Sequence, residues 1–393
     1  MSQQPFMRLG IEALFLRPGE VGGSEVYLRH LLHALGQIDE RNAYTIFVGE
    51  HNQGTFDPLP PNFKEQVIPV SHANGLGGRL RHSLEAQGWL PSRIGRAMEE
   101  SRVDLVHFPG TTIDPLSLGL PSVLTIHDIQ QAYLPHFFSL RERLRRRRFY
   151  GPSARKAKHV IAISEFTRQS LLDRYRLPAE HVSTVYFGVS QLYFEPVAEE
   201  ECCRVREKYQ LPEHYVFYPA QLWPHKNHRT LVRAVGLLRR RYQQPVSLVL
   251  CGFPTLDAAH LWPEEAADAA VQVIGRAPEE DLPALYRMSQ MLVFPSLFEG
   301  FGLPILEAMA SGCPVVCADI PPLLEIGDDA VLTIDPHDPE SIAAAMARLL
   351  SEPALQAELV RKGIAQARKF TWEQCARQTL DIYRQVAGKE PAG

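Results

Sequence analysis

Cysteine is scarce in this sequence, and neither sign of charge dominates it. The six cysteines are spread over 393 residues, and the pair Cys313 and Cys317 has no second Cys/His pair that could complete a zinc site. Reduced thiols in an apolar core are the simpler interpretation, and they indicate a reducing compartment. The formal net charge is only −4, so the composition gives no indication of nucleic-acid binding.

Long apolar runs are also missing. No uninterrupted apolar stretch reaches the length of about 18 residues that a membrane-spanning helix needs, and the first residues lack the pattern of a secretory signal. We therefore expect a cytoplasmic location, with at most a peripheral contact on the inner face of a membrane. We find no internal repeat and no low-complexity tract.

The sequence does contain a regular alternation of short β-branched or aromatic runs and longer amphipathic segments, which is typical of a parallel sheet covered by helices. In the first half, the predicted strands are Met7–Leu16, Tyr44–Val48, Glu65–Val70, Val103–Phe108, Ser122–His127, Val160–Ile163 and Ser183–Phe187. The predicted helices there are Ser24–Leu35, Gly78–Glu99, Ser139–Ala157 and Glu165–Tyr175, the last with Ser164 as its N-cap.

The alternation breaks at residues 188–197 and then resumes. The second set of predicted strands is Tyr215–Pro219, Val246–Cys251, Val271–Ile274, Met291–Phe294, Val315–Cys317 and Ala330–Ile334. The second set of predicted helices is Asn227–Tyr242, Glu279–Ser289, Pro304–Ser311, Pro339–Leu350, Leu355–Lys369 and Trp372–Val386.

This pattern predicts two doubly wound, Rossmann-like α/β domains, residues 1–190 and residues 197–371. A C-terminal helix in residues 372–393 follows, for which a return to the first domain is one option. In open α/β sheets, ligands bind beyond the carboxyl ends of the strands. We therefore expect the site in a cleft between the two domains.

The segment from Glu299 to Glu307 carries the strongest chemical indication. A predicted strand ends just before it, and a glycine-containing loop leads to Pro304 in the first turn of a predicted helix. A helix start of this kind offers backbone N–H groups to a diphosphate. The residues that offer them here are Phe301, Gly302 and Leu303.

The two carboxylates of this segment would repel a diphosphate. We therefore expect them to accept hydrogen bonds from hydroxyl groups, Glu307 from a ribose and Glu299 from a transferred sugar. The alternative is that both are solvated acids favoured by the helix dipole.

The segment resembles the Glu-x7-Glu motif of the retaining glycosyltransferases of family 4, which have the two-domain GT-B fold. Further signposts occur in the expected order along nearly the whole chain. They are Gly22-Gly23, His127-Asp128, Ile163-Ser164-Glu165-Phe166-Thr167, Tyr186-Phe187-Gly188-Val189 and Pro224-His225-Lys226-Asn227.

The resemblance implies a role for several of these residues. Lys226 would offset the charge of the leaving nucleotide diphosphate, unless it is an ordinary surface lysine. Gln221 stands where the family usually has an arginine, and it can donate a hydrogen bond to phosphate but carries no charge. His225 and Arg229 are the nearby cationic candidates.

On the first domain, the resemblance implies that His127 contacts the donor sugar, although a histidine after a strand is often structural. Asp128 would orient His127 or reach the acceptor. Gly22 and Gly23 would present backbone N–H groups to donor or acceptor.

The remaining implied features concern the nucleobase and metals. Gly275 and Arg276 would hold the nucleobase, largely through the backbone. We expect no metal, because the sequence has no Asp-x-Asp motif and the resembled fold normally binds its donor without one.

Charge is unevenly distributed along the chain, which suggests that its two halves meet different partners. Residues 1–196 hold 22 basic and 19 acidic residues, against 19 and 26 in the remainder. One predicted helix carries six arginines, Arg141, Arg143, Arg145, Arg146, Arg147 and Arg148. They fit an anionic membrane surface, and a solvated helix face with Glu142 as a pairing partner is the equal alternative.

The segments Pro-His-Lys-Asn and Ile-His-Asp resemble those of bacterial mannosyltransferases in polysaccharide assembly. This favours a hexosyltransferase that uses GDP-mannose as substrate, needs no further cofactor and acts on a glycan or lipid-linked acceptor. A glucosyl- or N-acetylglucosaminyltransferase that uses a UDP-sugar is one alternative. A non-hydrolysing UDP-sugar epimerase and a non-catalytic nucleotide-sugar-binding subunit are the others.

Overall fold

Two parallel sheets organise the chain, each in its own compact unit. The computed structural model describes residues 6–20, 22–69, 85, 92–252 and 269–389. Residues 1–188 and 372–393 form the first unit, and residues 189–371 form the second.

The sheet of the first unit has seven strands in the order β3-β2-β1-β4-β5-β6-β7, and every pairing is parallel. The strands are β1 (Arg8–Glu12), β2 (Ala43–Val48), β3 (Phe63–Val67), β4 (Leu105–Phe108), β5 (Ser122–Ile126), β6 (His159–Ala162) and β7 (Val182–Thr184). Its helices are α1 (Gly23–Ile38), α2 (Arg93–Glu100), α3 (Leu140–Lys156), α4 (Glu165–Tyr175) and the C-terminal helix Trp372–Ala387.

The sheet of the second unit has six strands in the order β10-β9-β8-β11-β12-β13, again all parallel. The strands are β8 (Tyr215–Pro219), β9 (Ser247–Cys251), β10 (Val271–Val273), β11 (Met291–Phe294), β12 (Val315–Ala318) and β13 (Val331–Ile334). The helices are α5 (Glu199–Tyr209), α6 (His228–Arg241), α7 (Leu282–Met288), α8 (Leu303–Ala310), α9 (Pro321–Gly327), α10 (Pro339–Ser351) and α11 (Pro353–Ala367).

Apolar strands and amphipathic helices account for both units. All residues of β4, β5, β11 and β12 are buried, as expected for strands covered by helices on both faces. In each sheet the strand order reverses beside the first strand, between β1 and β4 and between β8 and β11. The loops that follow these strands are where such sheets bind ligands.

The C-terminal helix packs on α1 and completes the core of the first unit. The ring of Trp372 stacks on His30 and on Phe187, with centroids 4.9 and 5.7 Å apart. The phenol of Tyr383 hydrogen-bonds Nδ1 of the buried His107 at 2.7 Å. Residues from the end of the chain are therefore part of the core of the N-terminal sheet.

Both doubly wound sheets are confirmed, and Ser164 caps α4 as predicted, accepting from the N–H of Thr167. Several element boundaries differ from the prediction, and the physical reason is clear for two strand ends. The strand predicted to run to Leu16 ends at Glu12, because the chain turns and Leu16 donates to the carbonyl of Ala13. The strand predicted to run to Phe187 ends at Thr184, because β6 ends at Ala162, whose carbonyl takes a last bond from Val185.

One helix prediction needs correction, and two helices were not predicted. The helix predicted from Glu279 begins as a 3-10 turn, Glu279–Asp281, before α7. Helices α5 and α9 were not predicted; α9 opens on two prolines, which suggest a turn but also fit a first helical turn. Most of the predicted helix Gly78–Glu99 lies outside the described residues; the described part is α2, capped by Ser92.

Candidate active site

Lys226 and Glu299 follow the neighbouring strands β8 and β11, and an ion pair joins them. Nζ of Lys226 donates to Oε1 of Glu299 across 2.6 Å. The two side chains are only 17% and 11% exposed. The ammonium also lies 5.5 Å from the centroid of the Phe294 ring. The pair is thus shielded from water. Charges in such surroundings interact more strongly than charges at the surface.

Hydrogen bonds to neighbouring loops fix the position of Lys226. Its backbone closes the 3-10 turn Pro224–Lys226, and its carbonyl accepts from the phenol of Tyr218 at 2.7 Å. Asn227 follows in the left-handed conformation and donates to the carbonyls of Pro295 (3.1 Å) and Pro336 (2.6 Å). The sequence motif identified Asn227 only as a neighbour of Lys226, whereas the structure shows that it bridges two other loops.

The turn between Glu299 and α8 depends on Gly302. Its φ is +114°, and a Cβ there would lie 2.7 Å from Cδ2 of Leu323, so a larger residue would be both strained and crowded. The helix begins at Leu303 with Pro304 in its first turn. Phe301 is buried, with its ring edge-to-face against Phe370. The first N–H groups of an α-helix have no acceptor within the helix, so this start suits an anion.

Glu307 lies one turn into α8 and is half-buried. Its Oε2 accepts a hydrogen bond from the phenol of Tyr286 at 2.7 Å. The negative charge of Glu307 also raises the pKa of the Tyr193 hydroxyl, so this phenol lies close to the same carboxylate. Neither tyrosine belongs to a motif of the sequence, and no pattern in the sequence connects them to Glu307.

The remaining predicted donor-side residues lie on the loops after β8 and β10. Gln221 is half-buried and Arg276 is exposed. The carbonyl of Gly275 accepts from the N–H of Gly252 at 2.8 Å, so this loop is tied to the loop after β9. Next to Lys226, His225 is buried, and Arg229 is exposed on the first turn of α6. That His225 or Arg229 supplies the positive charge that Gln221 lacks stays a prediction.

His127 lies beyond the end of β5, in the first unit. Its Nε2 is 2.7 Å from the carbonyl of Pro109, so Nε2 carries the hydrogen and Nδ1 is left as the acceptor of the ring. Edge-to-face contacts with Tyr27 of α1 and with Phe187 hold the ring, at centroid distances of 5.6 and 5.8 Å. Burial lowers the pKa of His127, which favours the neutral imidazole.

The Gly22-Gly23 turn opens α1 in the same unit, and the carboxylate of Glu25 in the first turn of α1 bonds the loop that precedes it. Glu25 Oε2 accepts from the N–H of Gly19 at 2.7 Å, and its Oε1 accepts from Arg29 at 3.0 Å. Asp128 is half-buried and accepts from the N–H of Gln130 at 3.0 Å. Tyr27 therefore connects α1 to His127. The hydrogen bond that Asp128 accepts lies within its own loop.

All six cysteines are free thiols, and four of them are buried. Within the described ranges, no group of three or more His, Cys, Asp or Glu side chains is placed to hold a metal ion. Among the same residues, no helix is long and apolar enough to cross a membrane.

The arginine-rich helix is α3. Arg145 and Arg146 both bond Glu142, and Arg146 also packs on the rings of Phe138 and Tyr150. Leu140 and Leu144 on this helix are 68% and 57% exposed. The helix thus presents apolar side chains as well as cations to solvent.

Two Rossmann-like domains of parallel strands are the architecture of GT-B glycosyltransferases, and comparison with known proteins agrees. The model of the family described as "Glycosyltransferase Family 4" matches residues 21–191, and the model described as "Glycosyl transferases group 1" matches residues 204–369. An O-antigen chain mannosyltransferase B of Escherichia coli is 34% identical over 343 residues, which are 85% of this chain and 89% of the relative.

More distant similarities agree with this one. A D-inositol 3-phosphate glycosyltransferase of Salinispora tropica is 27% identical, over 94% of this chain and 82% of its own. A crystal structure of Anabaena Alr3699/HepE in complex with UDP and glucose superposes with a TM-score of 0.74, covering 96% of this chain and all of that one, at 19% identity. The chain belongs to glycosyltransferase family 4 and is a hexosyltransferase.

Proposed function

We propose that this enzyme transfers mannose from GDP-mannose to a glycan or lipid-linked acceptor, with retention of anomeric configuration. The observation that carries the proposal is the shielded Lys226–Glu299 pair, which lies at the strand-order reversal of the second sheet and precedes the helix start that carries Glu307. The name of the 34% identical relative favours mannose. A UDP-sugar of glucose or N-acetylglucosamine is the second candidate, favoured by the fold shared with the UDP-bound Anabaena protein.

In this proposal, the second unit holds the donor. The first turn of α8 accepts the diphosphate, and Lys226 neutralises part of its charge. Glu307 accepts hydrogen bonds from ribose hydroxyls, and Glu299 accepts them from hydroxyls of the sugar. Because Lys226 and Glu299 bond each other in the structure, the diphosphate competes with Glu299 for the ammonium.

The reaction needs charge stabilisation more than a protein nucleophile. As the bond from the anomeric carbon to the phosphate oxygen breaks, negative charge grows on the diphosphate, where Lys226 and the helix start stabilise it. An acceptor hydroxyl attacks from the same face, and its proton passes to the leaving phosphate oxygen. Burial favours the neutral form of His127, so its Nδ1 can accept a hydrogen bond from a hydroxyl.

Thermal stabilisation by nucleotides tests the donor. A nucleotide that binds the donor site should stabilise the protein by about 2.7 kcal/mol at about 100 times its Kd. We expect GDP to stabilise the protein more than UDP or ADP does. Release of mannose from GDP-mannose, followed by NMR, should first give the α anomer if configuration is retained. Preferential stabilisation by UDP would replace the mannose assignment, and no stabilisation by any of the three would overturn the proposal.

We also propose that α3 contacts an anionic membrane, which would bring the enzyme to a lipid-linked acceptor. The exposed Leu140 and Leu144 can enter the lipid interface. Arg141, Arg143 and Arg147 are exposed around them, and each cation near an anionic surface is worth about 1 kcal/mol. Arg145 and Arg146 are already paired with Glu142 and contribute less.

Vesicle co-sedimentation tests this contact, using vesicles with and without phosphatidylglycerol. Changing Arg141, Arg143 and Arg147 together to Gln should weaken binding to the anionic vesicles about tenfold or more. The matched control changes Arg239, Arg240 and Arg241 of α6 to Gln, which removes the same charge from the other unit. Equal losses in both variants, or equal binding to both kinds of vesicle, would contradict a specific surface on α3.

A further inference from the structure

Two tyrosines of the second unit converge on Glu307 from separate parts of the chain. Tyr286 lies in α7, and Tyr193 lies in the 3-10 turn Gln191–Phe194. Both are buried, at 0% and 3% exposure, with ring centroids 6.1 Å apart in an edge-to-face contact. The ring of Phe217 packs edge-on against Tyr286 at 5.2 Å. The two phenols are therefore held in fixed positions beside one carboxylate.

The phenol of Tyr286 donates a hydrogen bond to Glu307, and the phenol of Tyr193 lies close to the same carboxylate. Burial raises the pKa of both hydroxyls well above the usual value, and the negative charge of Glu307 raises it further. Both hydroxyls thus keep their protons at any physiological pH. Charge-assisted hydrogen bonds of this kind are stronger than neutral ones.

The contacts of the two tyrosines restrict the motion of Glu307. An ionised carboxylate offers about four lone-pair positions, and the phenol of Tyr286 takes one of them. The ring of Tyr193 packs on that of Tyr286 and adds to the packing around the carboxylate. The carboxylate therefore cannot rotate freely, and the direction in which it accepts hydrogen bonds from a ligand is fixed.

We infer that Tyr286 and Tyr193 are positioning residues that hold Glu307 in the orientation that selects a ribonucleotide over a deoxyribonucleotide. This inference rests on the proposed function, because it assigns the ribose of the donor to Glu307. Without the phenols, Glu307 would turn among several orientations, and its preference for ribose hydroxyls would weaken. Binding of the base and the diphosphate would be affected much less.

The test compares nucleotides that differ only in the ribose. Calorimetry gives the affinities of GDP, 2′-deoxy-GDP and 3′-deoxy-GDP for the wild type, Tyr286→Phe and Tyr193→Phe. Each substitution keeps the ring and removes one hydroxyl. The matched control is Tyr215→Phe, since Tyr215 is equally buried in the same unit and its hydroxyl donates to the carbonyl of Leu285 at 2.7 Å.

We expect the wild type to prefer GDP over at least one deoxy analogue. Tyr286→Phe or Tyr193→Phe should reduce this preference by about threefold to tenfold, with the control unchanged. KM for the donor should rise while kcat stays within about twofold, as expected for a loss of ground-state binding.

The two ways of failing are distinguishable. If the variants weaken GDP and its deoxy analogues equally, or keep the full preference, the positioning role is overturned and the proposed function stands. If the wild type binds GDP without any preference for ribose, Glu307 does not read the ribose. If the wild type binds no nucleotide, the proposed function itself fails. Either variant is sufficient for the test if the other does not fold.

Discussion

The ammonium of Lys226 and the carboxylate of Glu299 neutralise each other at 2.6 Å, so the cation expected to meet the diphosphate already has a partner in the protein. Removing one partner of a desolvated pair is strongly unfavourable, because it leaves a buried charge uncompensated. The donor must therefore offer both groups new partners at once. A diphosphate for Lys226 and sugar hydroxyls for Glu299 meet that requirement.

Replacing Glu299 should separate donor binding from transfer. In Glu299→Gln, Lys226 loses its internal competitor, so GDP should bind about tenfold more tightly, or about 1.4 kcal/mol. Transfer from the intact donor should fall, because the sugar loses a charged acceptor. Titration calorimetry with GDP and a transfer assay measure the two effects.

Glu358→Gln is the control for Glu299→Gln. It removes a carboxylate of the same unit that pairs with the partly exposed Lys362 at 2.9 Å. GDP affinity should not change in this variant. Weaker GDP binding in Glu299→Gln would mean that Glu299 holds Lys226 in place for the phosphate instead of competing with it.

Removing the charge of Lys226 should mainly slow the chemical step. Lys226→Gln should lower kcat by about 10²- to 10³-fold, the typical loss when one stabilising donor of developing charge is removed. Lys226→Arg keeps the charge with a different shape and should retain more activity. Steady-state kinetics with Lys362→Gln as control check this, and an unchanged kcat would assign Lys226 to structure alone.

The turn at Gly302 should tolerate no side chain. Gly302→Ala combines a positive φ with a Cβ 2.7 Å from Leu323, so it should lower the free energy of unfolding of the second unit by about 1 to 3 kcal/mol. Gly388→Ala has a positive φ of 64° with no atom within 4 Å of the added Cβ, so it isolates the backbone effect. Denaturant unfolding of both variants should show the larger loss at Gly302.

The buried Glu12 should make the first unit less stable in mild alkali. Burial, with the nearby Asp114, raises the pKa of Glu12 to about 8. Folded protein therefore binds a proton that unfolded protein releases above its pKa of about 4.5. The stability contributed by this proton is complete below about pH 4.5 and is lost as pH rises through about 8, at up to about 1.4 kcal/mol per pH unit.

Glu12→Gln should remove this pH dependence, so its stability should exceed that of the wild type by a growing margin between about pH 7 and about pH 8.5. The range matters because burial lowers the pKa of His107 to about 3, which gives a slope of opposite sign at lower pH. Denaturant midpoints of both proteins across this pH range measure the difference in stability. Parallel curves for the two proteins would show that Glu12 is ionised in the folded state.

The sequence was a good guide to features that are set by residues close to each other along the chain. Alternating apolar runs predicted both sheets, and the Glu-x7-Glu segment indicated the loop before α8. Contacts between distant segments could not be predicted from the sequence. Lys226 and Glu299 are 73 positions apart, so the sequence showed two residues of suitable chemistry but not that they bond each other.

The tyrosines beside Glu307 illustrate the same limit. A buried tyrosine is ordinary core material, and nothing local distinguishes Tyr286 or Tyr193 from Tyr215. Their role depends on how α7 and the turn at residues 191–194 pack on α8, which is a property of the folded unit. Glu25, whose carboxylate closes the turn before α1, escaped prediction for the same reason.

The bond between His107 and Tyr383 joins residues 276 positions apart and has a consequence for synthesis on the ribosome. The core of the first unit stays incomplete until the last helix emerges, by which time the whole second unit has been made. The second unit, whose residues Val189 and Phe370 bond each other at 3.1 Å, can close on its own beforehand. A chain that ends after residue 371 would keep the donor-side residues but would lack the helix that covers Tyr27 and His107. We expect chaperones or proteases to act on this exposed core.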